Sequence, residues 1–256
     1  MTISIYRRCF TFCSRLLPFC LIPSFLTAAP SGGNHVPADS FLVLSVKTET
    51  LIGKSKVFQS STWAPLLEKL ALSQPTLHEI LLDRNSSGLN LQSPLRFFAR
   101  VEGKDSSLPS FGLIAMVKDP RKADGTLAEI AESLGISKQK GKGTRYGKDG
   151  FPLEIGRKGR VCYLIGVAPS TKGNGSIDER LKDFQSTFLT SENAKKLPSS
   201  LKIHLNQSSD LALYIDGTGL AKIIEDFWPD DQWKKLLPTL DQLLNRQIGF
   251  HFQSNV

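Results

Sequence analysis

The sequence predicts an α+β fold: a mixed, mostly antiparallel sheet with helices packed on one side. Three observations carry this. Short runs of strand character, such as Leu95 to Val101 and Phe111 to Lys118, follow one another across a loop that an antiparallel pair accommodates. Segments with apolar residues at helical spacing lie between such runs. The order strand, short helix, Trp-led helix, strand recurs near the C-terminus.

The first element is an export signal over residues 1–29. Arg7, Arg8 and Arg15 form a basic start without an acid, Leu16 to Ala28 is almost wholly apolar, and Thr27, Ala28 and Ala29 are small. The apolar run is about 13 residues long, short of the roughly 20 that a spanning helix requires, and Pro18 and Pro23 interrupt it. Pro30 disfavours cleavage after Ala29, leaving Ala28 and Ser31 as equal alternatives. Phe19 before Cys20 is too large for a lipid-anchoring site, so the expectation is a soluble exported protein, periplasmic or envelope-associated and not a lipoprotein, with no transmembrane segment after signal removal.

Removing the signal changes the chemistry of what remains. Cys9, Cys13 and Cys20 leave with it, so only Cys162 stays and no intramolecular disulfide can form. Three arginines leave as well, taking the formal charge from +8 to +5 (8 − 3). A chain of roughly 225 residues is long enough to bury a substantial core.

Residues 30–36 read as a flexible polar lead-in, 37–190 as the main α+β domain and 208–256 as an incomplete second repeat docked on the first. Ser40 to Val46 is apolar at both alternations, the pattern of a central strand covered on two faces. Thr50 to Ser55 makes a short helical turn; Trp63, Leu66, Leu67 and Leu70 mark one face of a helix over 63–72, and a second helix runs from Thr76 to Leu82. Leu127, Ile130, Ala131 and Leu134 follow at helical spacing, with Gly135 as terminator. Thr144 to Tyr146, Phe151 to Ile155 and Arg160 to Val167 are strand candidates, and Ile177, Leu181, Phe184 and Phe188 mark the buried stripe of a helix over 177–189.

The repeat is ordered. Leu42-Val43-Leu44-Ser45-Val46 with Leu51 is matched by Leu211-Ala212-Leu213-Tyr214-Ile215 with Leu220, at an offset of 169 (211 − 42). Trp63-x-x-Leu66-Leu67-x-x-Leu70 is matched by Trp233-x-x-Leu236-Leu237-x-x-Leu240, at an offset of 170 (233 − 63). Ile248 to Phe252 answers Leu95 to Ala99, and the sequence ends at Val256 before any counterpart of Phe111 to Val117.

The segment His35 to Val46, then Leu51-Ile52-Gly53-Lys54-Ser55, then Asp83 to Leu95 with Ser87-Gly88-Leu89-Asn90-Leu91 and Pro94, resembles exported bacterial proteins of unknown function that carry such a pattern twice. The resemblance covers Val36 to Val117 and, more weakly, Ser209 to Phe252. It implies an envelope location and carries over no catalytic residue.

Several chemistries are disfavoured. Gly53-Lys54-Ser55 ends like a phosphate-binding loop, but Thr48 stands where its first glycine belongs. Neither nucleotide nor nucleic acid is expected as a ligand, and no cofactor is. His35, His78, His204 and His251 have no metal-ligand spacing, no Gly-x-Ser-x-Gly elbow is present, and Glu225-Asp226 and Asp230-Asp231 point apart unless folding assembles them. Two candidate binding features remain. Lys138, Lys140, Lys142, Arg145 and Lys148 form a glycine-diluted basic stretch able to attract an anionic polymer. Phe227, Trp228 and Trp233 cluster around Pro229 as an aromatic surface or a core corner. The expectation is a non-catalytic binding or scaffold protein of a bacterial envelope, partnered by another envelope protein or an anionic polymer. The alternatives are a hydrolase of an envelope polymer, and an inhibitor or assembly factor for another envelope protein.

Overall fold

A computed structural model describes residues 35–55, 64–73, 75–83, 85–101, 108–140, 143–168, 175–189, 196–207, 209–220 and 247–252. Residues 1–29, read from the sequence as an export signal, residues 30–34 of the expected lead-in, Trp63, Lys142, Phe227, Trp228 and Trp233 lie outside the described residues.

In chain order the elements are β1 (Ser40–Val46), α1 (Thr48–Ser55), α2 (Ala64–Ser73), α3 (Pro75–Leu82), β2 (Leu95–Val101), β3 (Pro109–Met116), α4 (Pro120–Leu134), β4 (Ser137–Lys138), β5 (Thr144–Gly147), β6 (Leu153–Lys158), β7 (Val161–Val167), α5 (Ile177–Phe188), α6 (Ser199–Asn206), β8 (Leu211–Asp216) and β9 (Gln247–Phe252). The strands join one sheet in the order β4-β5-β6-β7-β3-β2-β1-β8-β9, and every neighbouring pair is antiparallel. The α+β class is therefore as expected. β1 lies inside the sheet between β2 and β8, as its double apolar alternation predicts, but the cover expected on both faces is incomplete, because Leu42 and Leu44 on one face stay partly exposed.

Local chemistry sets the helix ends. The Asp119 carboxylate accepts from the backbone N–H of Arg121 at 2.9 Å, and Pro120 occupies the first turn, where its missing N–H costs nothing. Gly135 closes α4 at φ 66, and its N–H donates to carbonyls of the last turn. Ser176 and Glu179 form a reciprocal capping box at the start of α5.

The helices do not keep to one side of the sheet. Val43, Phe98, Ile114, Tyr163 and Ile165 join one core cluster with Leu181 and Phe184 of α5 and Leu201 and Leu205 of α6. Ala115, Ile155 and Cys162 join a second cluster with Ala123, Leu127 and Ala131 of α4. Ala115 and Cys162 are cross-strand partners, as are Ile114 and Tyr163, so the two clusters take alternate residues of the same strands and lie on opposite faces. The physical reason is in β7, six of whose seven residues, Leu164 excepted, are buried. A strand apolar at both alternations needs cover on both sides.

The stretch between the two sequence-defined units is part of the structure. Leu197 before α6, with Leu201 and Leu205 within it, belongs to the first cluster, and Leu201 is fully buried. Burying one leucine side chain of this kind contributes about 1.5–3 kcal/mol. β8 pairs with β1 through five residue pairs, with Leu44 opposite Leu213, and β9 continues the sheet outward from β8.

Candidate functional site

The basic stretch is divided by the fold. Lys138 on β4, Lys140 after it and Lys148 after β5 are exposed. Arg145 on β5 turns away from them to the Glu154 carboxylate, to which it donates from Nε at 3.2 Å and also from Nη2. Three described lysines thus present charge at one edge of the sheet, while the arginine serves the interior.

Glu154, the second residue of β6, is 4% exposed. Besides Arg145 it accepts from the Tyr163 hydroxyl at 2.9 Å and from Nε2 of Gln185 on α5 at 3.1 Å. Gly156 makes room for this arrangement. It lies between Arg145 and Tyr163 in the sheet, and a Cβ there would come within 2.6 Å of the Tyr163 hydroxyl oxygen. The hydrogen bonds to Glu154 raise the pKa of Arg145 above its ordinary value, and burial beside that carboxylate pushes the Tyr163 phenol up. The group ties β5, β6, β7 and α5 together. With its acceptor positions engaged, Glu154 is a clasp rather than a free acid or base.

A second polar group lies under α6, where β1, β2 and β8 meet. Lys47, Arg96, His204 and Asp210 are each at most 3% exposed. The Lys47 backbone N–H donates to the Asp210 carbonyl at 2.9 Å, Arg96 reaches the Leu205 carbonyl at 3.4 Å, and the His204 ring lies 5.6 Å from that of Tyr214. Burial lowers the Lys47 pKa against the opposing charge of Asp210, and burial takes Arg96 down to about 10. Near the far end of β2, Arg100 pairs with Asp39 at 2.9 Å and stands 5.2 Å from the Phe184 ring centroid. Arg96 and Arg100 alternate with Phe98 on one strand face. Two arginines at even spacing in an apolar strand are the sequence signal that could have located this buried charge.

Between α3 and α4 lies a cleft of about 120 Å³ lined in part by Glu79, Ile80, Lys122, Thr126 and Glu129. It is small beside the roughly 300–1,000 Å³ of sites for drug-sized ligands. Among the described residues, no group of three or more His, Cys, Asp or Glu side chains is gathered to hold a metal ion. No helix among them is long and apolar enough to cross a membrane.

One face of the sheet carries partly exposed apolar residues on neighbouring strands. Leu42 and Leu44 of β1, Phe97 and Ala99 of β2, and Leu213 and Ile215 of β8 are all partly exposed. The register sets Leu44 opposite both Phe97 and Leu213, and Leu42 opposite both Ala99 and Ile215. These six residues therefore form a contiguous strip across three adjacent strands, β2, β1 and β8, on the face away from α5 and α6. Composition alone does not reveal it, because these residues look like core until the helices are placed.

Comparison with known proteins found no family model, no curated protein and no solved structure that matches this chain.

Proposed function

We propose that the protein is exported and serves as a non-catalytic binding or scaffold protein of a bacterial envelope, with its sheet face as the binding surface. The export signal and the resemblance to envelope proteins support the location. The observation that carries the binding role is the partly exposed strip around Leu44, Phe97 and Leu213. A contiguous apolar strip on a sheet face is a common basis for protein recognition.

The test is recovery of a partner from an envelope extract with the unmodified protein and with Phe97→Gln, after circular dichroism has established that the variant is folded. Specific recovery that fails with Phe97→Gln is the expected result. Equal recovery by both, or by neither, counts against the proposal.

A second reading, binding of an anionic polymer, is favoured by the shared exposure of Lys138, Lys140 and Lys148 at the β4–β5 edge. Replacing all three by glutamine then weakens retention on immobilised lipopolysaccharide and flattens its salt dependence.

A further inference from the structure

The two ends of the sheet are unlike. β4 is two residues long and ends in Lys138, with Lys140 close behind, which is how an edge is kept from pairing. β9 is six residues long, Gln247-Ile248-Gly249-Phe250-His251-Phe252, without an acid, lysine, arginine or proline. Along its whole length it pairs with β8. In an antiparallel strand alternate residues direct their N–H and C=O groups to opposite sides, so the side of β9 away from β8 presents a second row of donors and acceptors. Among the described residues no strand lies beyond it.

The N-terminal half shows what such a strand takes. β2 stands to β1 as β9 stands to β8: Phe97 opposes Leu44, and Phe250 opposes Leu213. Leu44 and Leu213, counterparts in the repeat read from the sequence, oppose each other at the centre of the β1–β8 joint. On its outer side β2 carries β3, antiparallel through six residue pairs.

We propose that β9 pairs antiparallel with β9 of a second copy of this chain, across a two-fold axis beside Phe250. The sheet then runs continuously through both copies. Phe250 opposes Phe250 of the second copy and Ile248 opposes its Phe252, so the pairing is self-complementary and sets no like charges against each other. Charge favours this edge over the other. With a formal charge of +5 (8 − 3) once Arg7, Arg8 and Arg15 leave with the signal, two copies repel wherever lysines and arginines meet, and β9 is a strand without them. A single edge pairing buries less than the roughly 1,200 Å² of a standard stable interface, so the dimer is weak and concentration-dependent.

Sedimentation velocity of the protein over a concentration series is the test, with Phe250→Lys as the variant that opposes two like charges at the axis. The expected result is a monomer–dimer equilibrium weakened about tenfold or more by the substitution. Hydrogen exchange of residues 247–252 is read on the unmodified protein, so that misfolding of the variant leaves the idea testable. Protection that rises with concentration at alternate β9 amides is expected. A single monomeric species up to about 1 mM, or a dimer whose β9 amides exchange as in the monomer, overturns the proposal. Loss of the envelope partner does not bear on it, because the partner face and the β9 edge are read out separately.

Discussion

Replacing Glu154 by glutamine removes one charge and almost no volume, so the effect on stability reports the clasp rather than a cavity. Glu154 is 4% exposed and accepts from Arg145, Tyr163 and Gln185. A glutamine carbonyl can keep the Tyr163 bond, but its amide group meets the Arg145 guanidinium donor to donor. Breaking a fully buried ion pair costs about 3–5 kcal/mol. Arg145 is 28% exposed at its side chain and can regain some water, which reduces the expected loss to about 2–3 kcal/mol. Against a total stability of about 5–15 kcal/mol this is large. Equilibrium urea unfolding followed by circular dichroism measures it as a lower midpoint at unchanged slope. The companion Arg145→Met and the double variant complete a cycle, with an expected coupling of about 1–2 kcal/mol between the two sites. A loss below about 0.5 kcal/mol, or a coupling indistinguishable from zero, would refute the reasoning, since Glu154 would then be held by nothing that depends on its charge.

Three further outcomes are expected. Gly88→Ala destabilises by at least about 2 kcal/mol in thermal melts, because Gly88 adopts φ 69 and its Cβ would press on backbone atoms of Asp119 and Ala123 at the start of α4; an unchanged midpoint contradicts this. Asp124 bonds Arg157 at 2.6 and 2.7 Å, and that bond holds its carboxyl below the usual range. A depressed folded pKa gives stabilisation that is present above the unfolded value of about 3.9 and lost as pH falls through the folded one. Asp124→Asn should therefore flatten the acid side of the stability profile. With Asp124 about one-third exposed the change is at most about 1 kcal/mol, and identical profiles for the two proteins would count against the pairing. Cys162 is 4% exposed and burial pushes its thiol up to about 12. In a chain with Cys9, Cys13 and Cys20 changed to serine, a thiol reagent should react only as urea opens the fold; rapid labelling of the native protein is the contrary result.

The elements visible in the sequence are those whose signal is local. Asp119-Pro120, the Leu127-to-Leu134 spacing and Gly135 mark α4, and the apolar run through Val161 to Val167 marks β7. α6 was not legible because Ser199 to Asn206 has a weak amphipathic pattern, and its buried Leu201, His204 and Leu205 become a stripe only against the sheet. The strand expected over Phe151 to Ile155 begins instead at Leu153 and continues to Lys158, where pairing with β7 outweighs the polarity of Arg157 and Lys158. Arg145 looked like one of five loop cations because a stretch of sequence does not reveal that a glutamate nine residues later will lie beside it.

By itself the sequence determined the α+β class, most of the strands and helices, the single cysteine after residue 29, and the basic balance, since each depends on residues close together or on a count. Only the tertiary structure decided that β8 joins β1, that helices cover both faces, that Glu154 and Asp210 are interior, and that among the described residues β9 rather than a lysine-bearing strand is the longer of the two outermost strands. Those outcomes depend on register between residues tens to more than a hundred positions apart. In a sheet a shift of one residue exchanges the two faces, so no local pattern could have specified them.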